Sequence, residues 1–177
     1  MRIGRVAAWL ALMIVAALTF PVAAGAAPKL AIFPVDMSFP SSEEDFFTAK
    51  RGPSPDEQRR LDMARDQLQK LLSANGRYDV IDIAPIAADI TAAQPIFQCN
   101  GCEIDIAGKA KADLVMTSLI DKISETHLSL TVAIVDVAQS KLVSTSSVLI
   151  QGNTDEAWAH GVRWLVKNRL LAEDKPK

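Results

Sequence analysis

The chain has 177 residues, 49% hydrophobic and 23% charged, with 19 basic and 21 acidic side chains and a formal net charge of −2. That hydrophobic content excludes an intrinsically disordered chain, which is poor in large apolar residues. The charge balance excludes the basic excess of a nucleic-acid binder, and the length allows one ordinary domain.

The first 26 residues carry Arg2 and Arg5 but no acid. Ala7 to Phe20 is an uncharged apolar run, Pro21 ends it, and Ala24-Gly25-Ala26 supplies small residues for a signal peptidase. This is the order of a secretory signal peptide. The run falls short of the roughly 20 residues that span a bilayer core. Residues 1–26 are therefore expected to be a cleaved leader, cut after Ala26. Residues 27–177 are expected to form a single α/β envelope domain, with 17 basic and 21 acidic groups once the two leader arginines are gone. The mature form is expected in the periplasm, or secreted, and not spanning a membrane.

Lys29 to Asp36 has the composition of a buried first strand. Residues 37–53, with Pro40, Gly52, Pro53 and the acids Glu43, Glu44 and Asp45, read as a long loop. Loops of that length are often functional, and Phe46 and Phe47 are its candidate anchors or partner contacts. Ser54-Pro55-Asp56-Glu57 carries the signature of a capping box with proline in the first turn. Leu61, Ala64, Leu68, Leu71 and Leu72 follow at helical spacing, and Gly76 suits a left-handed stop. Arg77 to Ile83 alternates as a second strand. Pro85 to Pro95 allows a short helical turn. Glu103 to Ala112 reads as a helix, with Ile104, Ala107 and Lys111 along one side.

Three β segments follow: Asp113 to Ser124, His127 to Val137 and Leu142 to Gln151. In the middle one, Leu128, Leu130, Val132 and Ile134 alternate with Ser129, Thr131 and Ala133, giving one apolar and one weakly polar face. The short connectors predict an antiparallel meander. Asn153 is the expected cap of a last helix, whose buried stripe would be Ala157, Trp158, Gly161, Val162 and Leu165. The tail frays from about residue 173. The fold class is α/β of the α+β type, a mixed sheet in the order β-α-β-α-β-β-β-α with helices packed on it.

Little in this chain points to catalysis. Cys99 and Cys102 are its only cysteines, spaced Cys-x-x-Cys. In an oxidising compartment the default is a structural disulfide. A redox-active pair at a helix N-terminus is the alternative. A zinc site needs two more ligands, and His127 and His160 are not in ligand spacing; no metal or cofactor is expected. Motifs for serine hydrolysis, zinc proteolysis and phosphate loops are missing from the sequence. Asn153, Asp155, Trp158 and Trp164 are the remaining candidate contacts for a partner or ligand. The two tryptophans are six apart on one helix, so one should be buried and the other exposed.

Three stretches, KLAIFPVDM, CNGCEIDIAGKAKADLVMTSLIDKIS and VLIQGNTDEAW, resemble an uncharacterised family of exported proteobacterial proteins, a domain of unknown function. The order of elements also resembles the N-terminal domain of TolB-type translocation proteins and the curli-secretion lipoprotein group. The carriers are Ala31-Ile32-Phe33-Pro34-Val35, Gly76 to Asp82, and Ala112-Asp113-Leu114-Val115. The β-propeller of the first and the lipidated cysteine and pore insertions of the second are missing here. The resemblance implies an envelope binding module and supplies no reaction. The function expected is a non-catalytic binding or assembly module with an envelope protein as partner and no nucleic acid. The alternatives are a small-ligand binder and a thiol-redox protein using Cys99 and Cys102.

Overall fold

The computed structural model describes residues 26–39 and 52–172. All of the expected leader except Ala26, most of the loop including Phe46 and Phe47, and the tail from residue 173 lie outside the described residues. The elements run β1 (Lys29–Ser38), α1 (Pro55–Asn75), β2 (Asp79–Val80), α2 (Ala87–Ala93), α3 (Cys102–Lys109), β3 (Leu114–Lys122), β4 (His127–Asp136), β5 (Lys141–Gln151) and α4 (Asp155–Leu165), which ends in a wider π-type turn, Val166–Leu170. The five strands form one mixed sheet in the order β2-β1-β3-β4-β5. β1 is parallel to both β2 and β3, and the meander β3-β4-β5 is antiparallel.

The α1 capping box is complete. The Glu57 amide donates to Ser54 Oγ at 3.2 Å and the Ser54 amide to Glu57 Oε2 at 2.9 Å. Gly76 ends the helix at φ 75°, a left-handed conformation that costs glycine nothing. Leu61, Ala64, Leu68 and Leu72 are buried as their spacing predicts, and Leu71 packs half-buried at the rim.

The helices divide between the two faces of the sheet. α1 and α4 cover one, where Leu30, Ile32, Leu68, Met116, Leu130, Ile150 and Trp158 form the larger core. α4 lies close against β5 because Gly161 has no side chain: a Cβ there would sit 2.6 Å from Ile150 Cγ1. On the other face α2, α3 and the turns around them cover β1, the start of β3 and the end of β4, enclosing Phe33, Ile90, Ile96, Ile106 and Val115 with Val135 and Val137 packed against them. Beyond that second core, no described helix lies over β4 and β5 on this face.

Several boundaries differ from expectation. β1 runs on to Ser38, so Met37 and Ser38 belong to the strand and not to the loop. β2 is only Asp79–Val80. The expected alternation survives around it, with Tyr78 and Val80 on the larger core and Ile81 and Ile83 on the smaller. Asp82 then accepts from the Ala84 amide at 2.9 Å and turns the chain away from the sheet. Residues 85–95 hold a full helix, α2. α3 stops at Lys109 and buries Ile106 and Ala107; Lys111 is exposed, in a turn at φ 55°, so it cannot extend the helical stripe. α4 is capped by Thr154, whose hydroxyl accepts from the Ala157 amide, and not by Asn153. Ala157 is half-buried, and the remainder of the α4 stripe is buried.

Candidate functional site

β1 is flanked by parallel neighbours, with α1 leaving it on one face and α2 and α3 returning on the other. The strand order therefore reverses between β1 and β3. In open α/β sheets, ligands gather outside the carboxyl ends of strands at such a point. Here those ends carry Asp36, Ser38, Asp121 and Lys122, and Ser38 Oγ donates to Asp121 Oδ1 at 2.6 Å.

Beside them lies a polar cluster that joins three elements. Glu57, on the first turn of α1, is only 5% exposed. Its Oε1 accepts from Lys122 Nζ at 3.0 Å and from Asn153 Nδ2 at 3.1 Å. Asn153 Oδ1 in turn accepts from Trp158 Nε1 at 3.0 Å and from Arg60 Nη1 at 3.2 Å. Asp155 closes the outer side, taking Arg59 Nη1 at 2.7 Å and Arg60 Nε at 2.9 Å. Burial works to raise the Glu57 pKa, but the Ser54 amide, Lys122, the Ser54 hydroxyl and Asn153 outweigh it and hold the group at about 2. Arg59 and Arg60 likewise hold Asp155 at about 2. Lys122 is desolvated, yet Glu125 and Glu57 raise its pKa above the ordinary value.

Asn153, Asp155 and Trp158 are thus brought together, with internal work to do. Trp158 has no exposed surface, and its indole N–H is spent on Asn153. Trp164 stands apart at 38% exposure, with the Arg169 guanidinium 5.5 Å from its ring centre. Glu57, Lys122, Arg59 and Arg60 were not singled out from the sequence as site residues. A signal existed for Lys122: it shares strand parity with Leu114, Met116 and Ile120, so it had to point toward the core face. Nothing in the sequence signals that Glu57, 65 residues away, would meet it.

Cys99 and Cys102 lie at disulfide distance, their Cα atoms 5.5 Å apart. Gly101, at φ 97°, makes the turn between them, and Cys102 opens α3. Buried Asp36 steadies the preceding turn by accepting from the Phe97 amide at 3.1 Å. Burial pushes the Asp36 carboxyl above its usual range, against the pull of the Phe97 and Ile96 amides. Glu103 Oε2 lies 3.6 Å from Cys99 Sγ. On reduction, that carboxylate would oppose a thiolate on Cys99, whereas the start of α3 would favour one on Cys102. Glu103 and the two sulfurs lie close enough for one metal ion, but sulfurs bonded to each other are not thiolate ligands.

A third feature is a surface. On the face that α2 and α3 leave open, Ser129, Thr131 and Ala133 of β4 are half-buried, and Thr145, Ser147 and Leu149 of β5 are exposed. Leu142, Val143 and Leu149 stand at 54%, 57% and 52% exposure. No described helix is long and apolar enough to cross a membrane.

Several solved structures are similar to this chain at low sequence identity. Lipoprotein GNA1162 from Neisseria meningitidis is 15% identical and matches at a TM-score of 0.52, over 84% of this chain and 99% of its own. The C-terminal domain of LpoB from Escherichia coli is 13% identical, at 0.49, over 71% of this chain and 83% of that one. TolB from Acinetobacter baumannii is 14% identical, at 0.42, over 82% of this chain but only 28% of its own length. Among curated proteins none matches. Residues 28–170 match the family described as DUF3280, protein of unknown function (DUF2380), and the chain belongs to that family.

Proposed function

We propose that the protein is exported by its first 26 residues and works in the periplasm as a non-catalytic binding or assembly module. The observation that carries this is the half-covered sheet. Among the described residues, a face of small and apolar side chains on β4 and β5 stands half-buried to exposed, whereas Leu128, Leu130, Val132, Ile134 and Ile150 on the other face are buried. Exposed apolar area of this kind marks interaction sites. The polar cluster around Glu57 serves this role indirectly, tying α1, β3 and α4 into a rigid support. The partner is an envelope protein that meets the face with apolar side chains.

Two experiments test the two halves. Residues 1–28 fused to alkaline phosphatase should give activity outside the cytoplasm; activity only after cell lysis contradicts export. Crosslinked pull-downs from envelope extracts should recover a specific protein that is lost with Leu149→Glu; recovery unaffected by that change removes the face as the binding surface.

A second reading has one specific observation behind it. The cysteine pair is half-buried at the start of α3, where the helix favours a thiolate on Cys102. A thiol-redox protein should reduce insulin and lose that activity in Cys99→Ser, and a chain without the activity ends this reading. A small ligand at the carboxyl ends of β1 and β3 would instead raise the melting temperature.

A further inference from the structure

β5 is an edge strand: among the described residues it pairs with β4 alone. Natural edges are kept short, charged, interrupted by proline or twisted by bulges. β2, at the opposite edge, follows that rule with two residues, one of them Asp79. β5 has eleven residues, Lys141–Gln151, with no proline and a single charge at its first position. Its one register shift falls at Leu142 and Val143, opposite Val135, and pairing from Ser144 to Gln151 is uninterrupted.

The ladder fixes which groups are free. Gly152 donates to the Thr126 carbonyl at 2.7 Å. Amide direction alternates along a strand, so the even-numbered residues from Ser144 to Ile150 bond to β4, and past the register shift Lys141 lies opposite Asp136 in their place. The N–H and C=O groups of Thr145, Ser147 and Leu149 then point outward from the sheet. A two-fold axis at Ser146 pairs Thr145 against Ser147 and brings Val143, at the register shift, across from Leu149. Two of the most exposed large apolar side chains among the described residues, Val143 and Leu149, lie three residues either side of that axis, and no like charges meet. Such self-complementarity is what an isologous dimer requires.

We propose that β5 pairs antiparallel with β5 of a second copy about Ser146, extending the sheet to ten strands. One strand pair is small beside the roughly 1,200 Å² of a stable complex. The dimer should therefore be weak and reversible, and its equilibrium should shift with concentration. The edge and the open face share Leu149, but self-pairing is read by sedimentation and partner binding by crosslinked pull-down, so the first can fail while the envelope-binding proposal stands.

The test uses the whole chain, expressed with its own N-terminus. Sedimentation equilibrium should show a monomer–dimer equilibrium. Ser147→Pro removes an outward N–H without touching the β4 ladder and should abolish the dimer. Leu149→Lys should do the same by placing a charge opposite Val143, which keeps the test valid if the proline variant misfolds. Register is tested by single cysteines, since Cys99 and Cys102 are already joined. Ser146→Cys places two sulfurs on the axis, with Cα atoms about 4.5 Å apart, inside the range a disulfide spans. Ser144→Cys leaves them about 13 Å apart along the strands. Mild oxidation should give about tenfold more covalent dimer from Ser146→Cys than from Ser144→Cys. A monomer at every concentration, equal yields from the two variants, or capture of a different protein by Ser146→Cys would overturn the proposal.

Discussion

The two faces of the sheet are built to different standards. Under α1 and α4, every inward side chain of β4, from Leu128 to Ile134, is buried, and Gly161 is pressed against Ile150 without room for a methyl group. On the opposite face the same strand shows Ser129, Thr131 and Ala133, and β5 leaves Leu149 half in water. The first face holds the fold and tolerates little change. The second holds a smaller core under α2 and α3, and its open part on β4 and β5 carries fewer buried contacts, so substitutions there should cost less.

Substitutions should separate the two. Trp158→Ala empties the middle of the packed face and removes one of the two donors to Asn153 Oδ1, and should cost about 3–5 kcal/mol in denaturant unfolding. Gly161→Val forces α4 away from Ile150 and should cost about 1–3 kcal/mol. Reducing the cysteine pair should lower stability by about 2 kcal/mol or less, because the loop it closes is so short. Leu149→Ser, on the open face, should stay within about 0.5 kcal/mol of the parent. A loss there as large as that of Gly161→Val would erase the distinction between the faces.

Acid sharpens the same comparison. Glu57 sits on the packed side and titrates at about 2 in the fold, below its ordinary value of 4.5. A lowered pKa stabilises the native state wherever the group is ionised. The contribution is therefore complete above pH 4.5 and is lost as pH falls toward about 2. Unfolding free energy measured across that window should fall, and Glu57→Gln should flatten part of the fall.

Much of this contrast was legible in the sequence where the cause is local. The Ser54–Glu57 box, the Gly76 stop, the alternation of β4 and the division of labour between Trp158 and Trp164 follow from spacing alone. Asn153 was misassigned because a cap and a network residue look alike in sequence. Thr154 next to it satisfies the helix, which frees the Asn153 amide for Glu57, Arg60 and Trp158. β2 is shorter than its pattern because Asp82 finds a backbone partner two residues on. Which face of β4 and β5 stays open was not legible at all. It depends on where α2 and α3 end, and the sequence of β5 carries no sign of that.

The central claim is that the open face of β4 and β5 is the working surface. A photoreactive amino acid placed at Ala133 or Leu149, and at Asp66 on the solvent side of α1, tests it in living cells. The account predicts one crosslinked species shared by positions 133 and 149 and missing at 66. No adduct at 133 and 149, or the same adduct from 66, would contradict it.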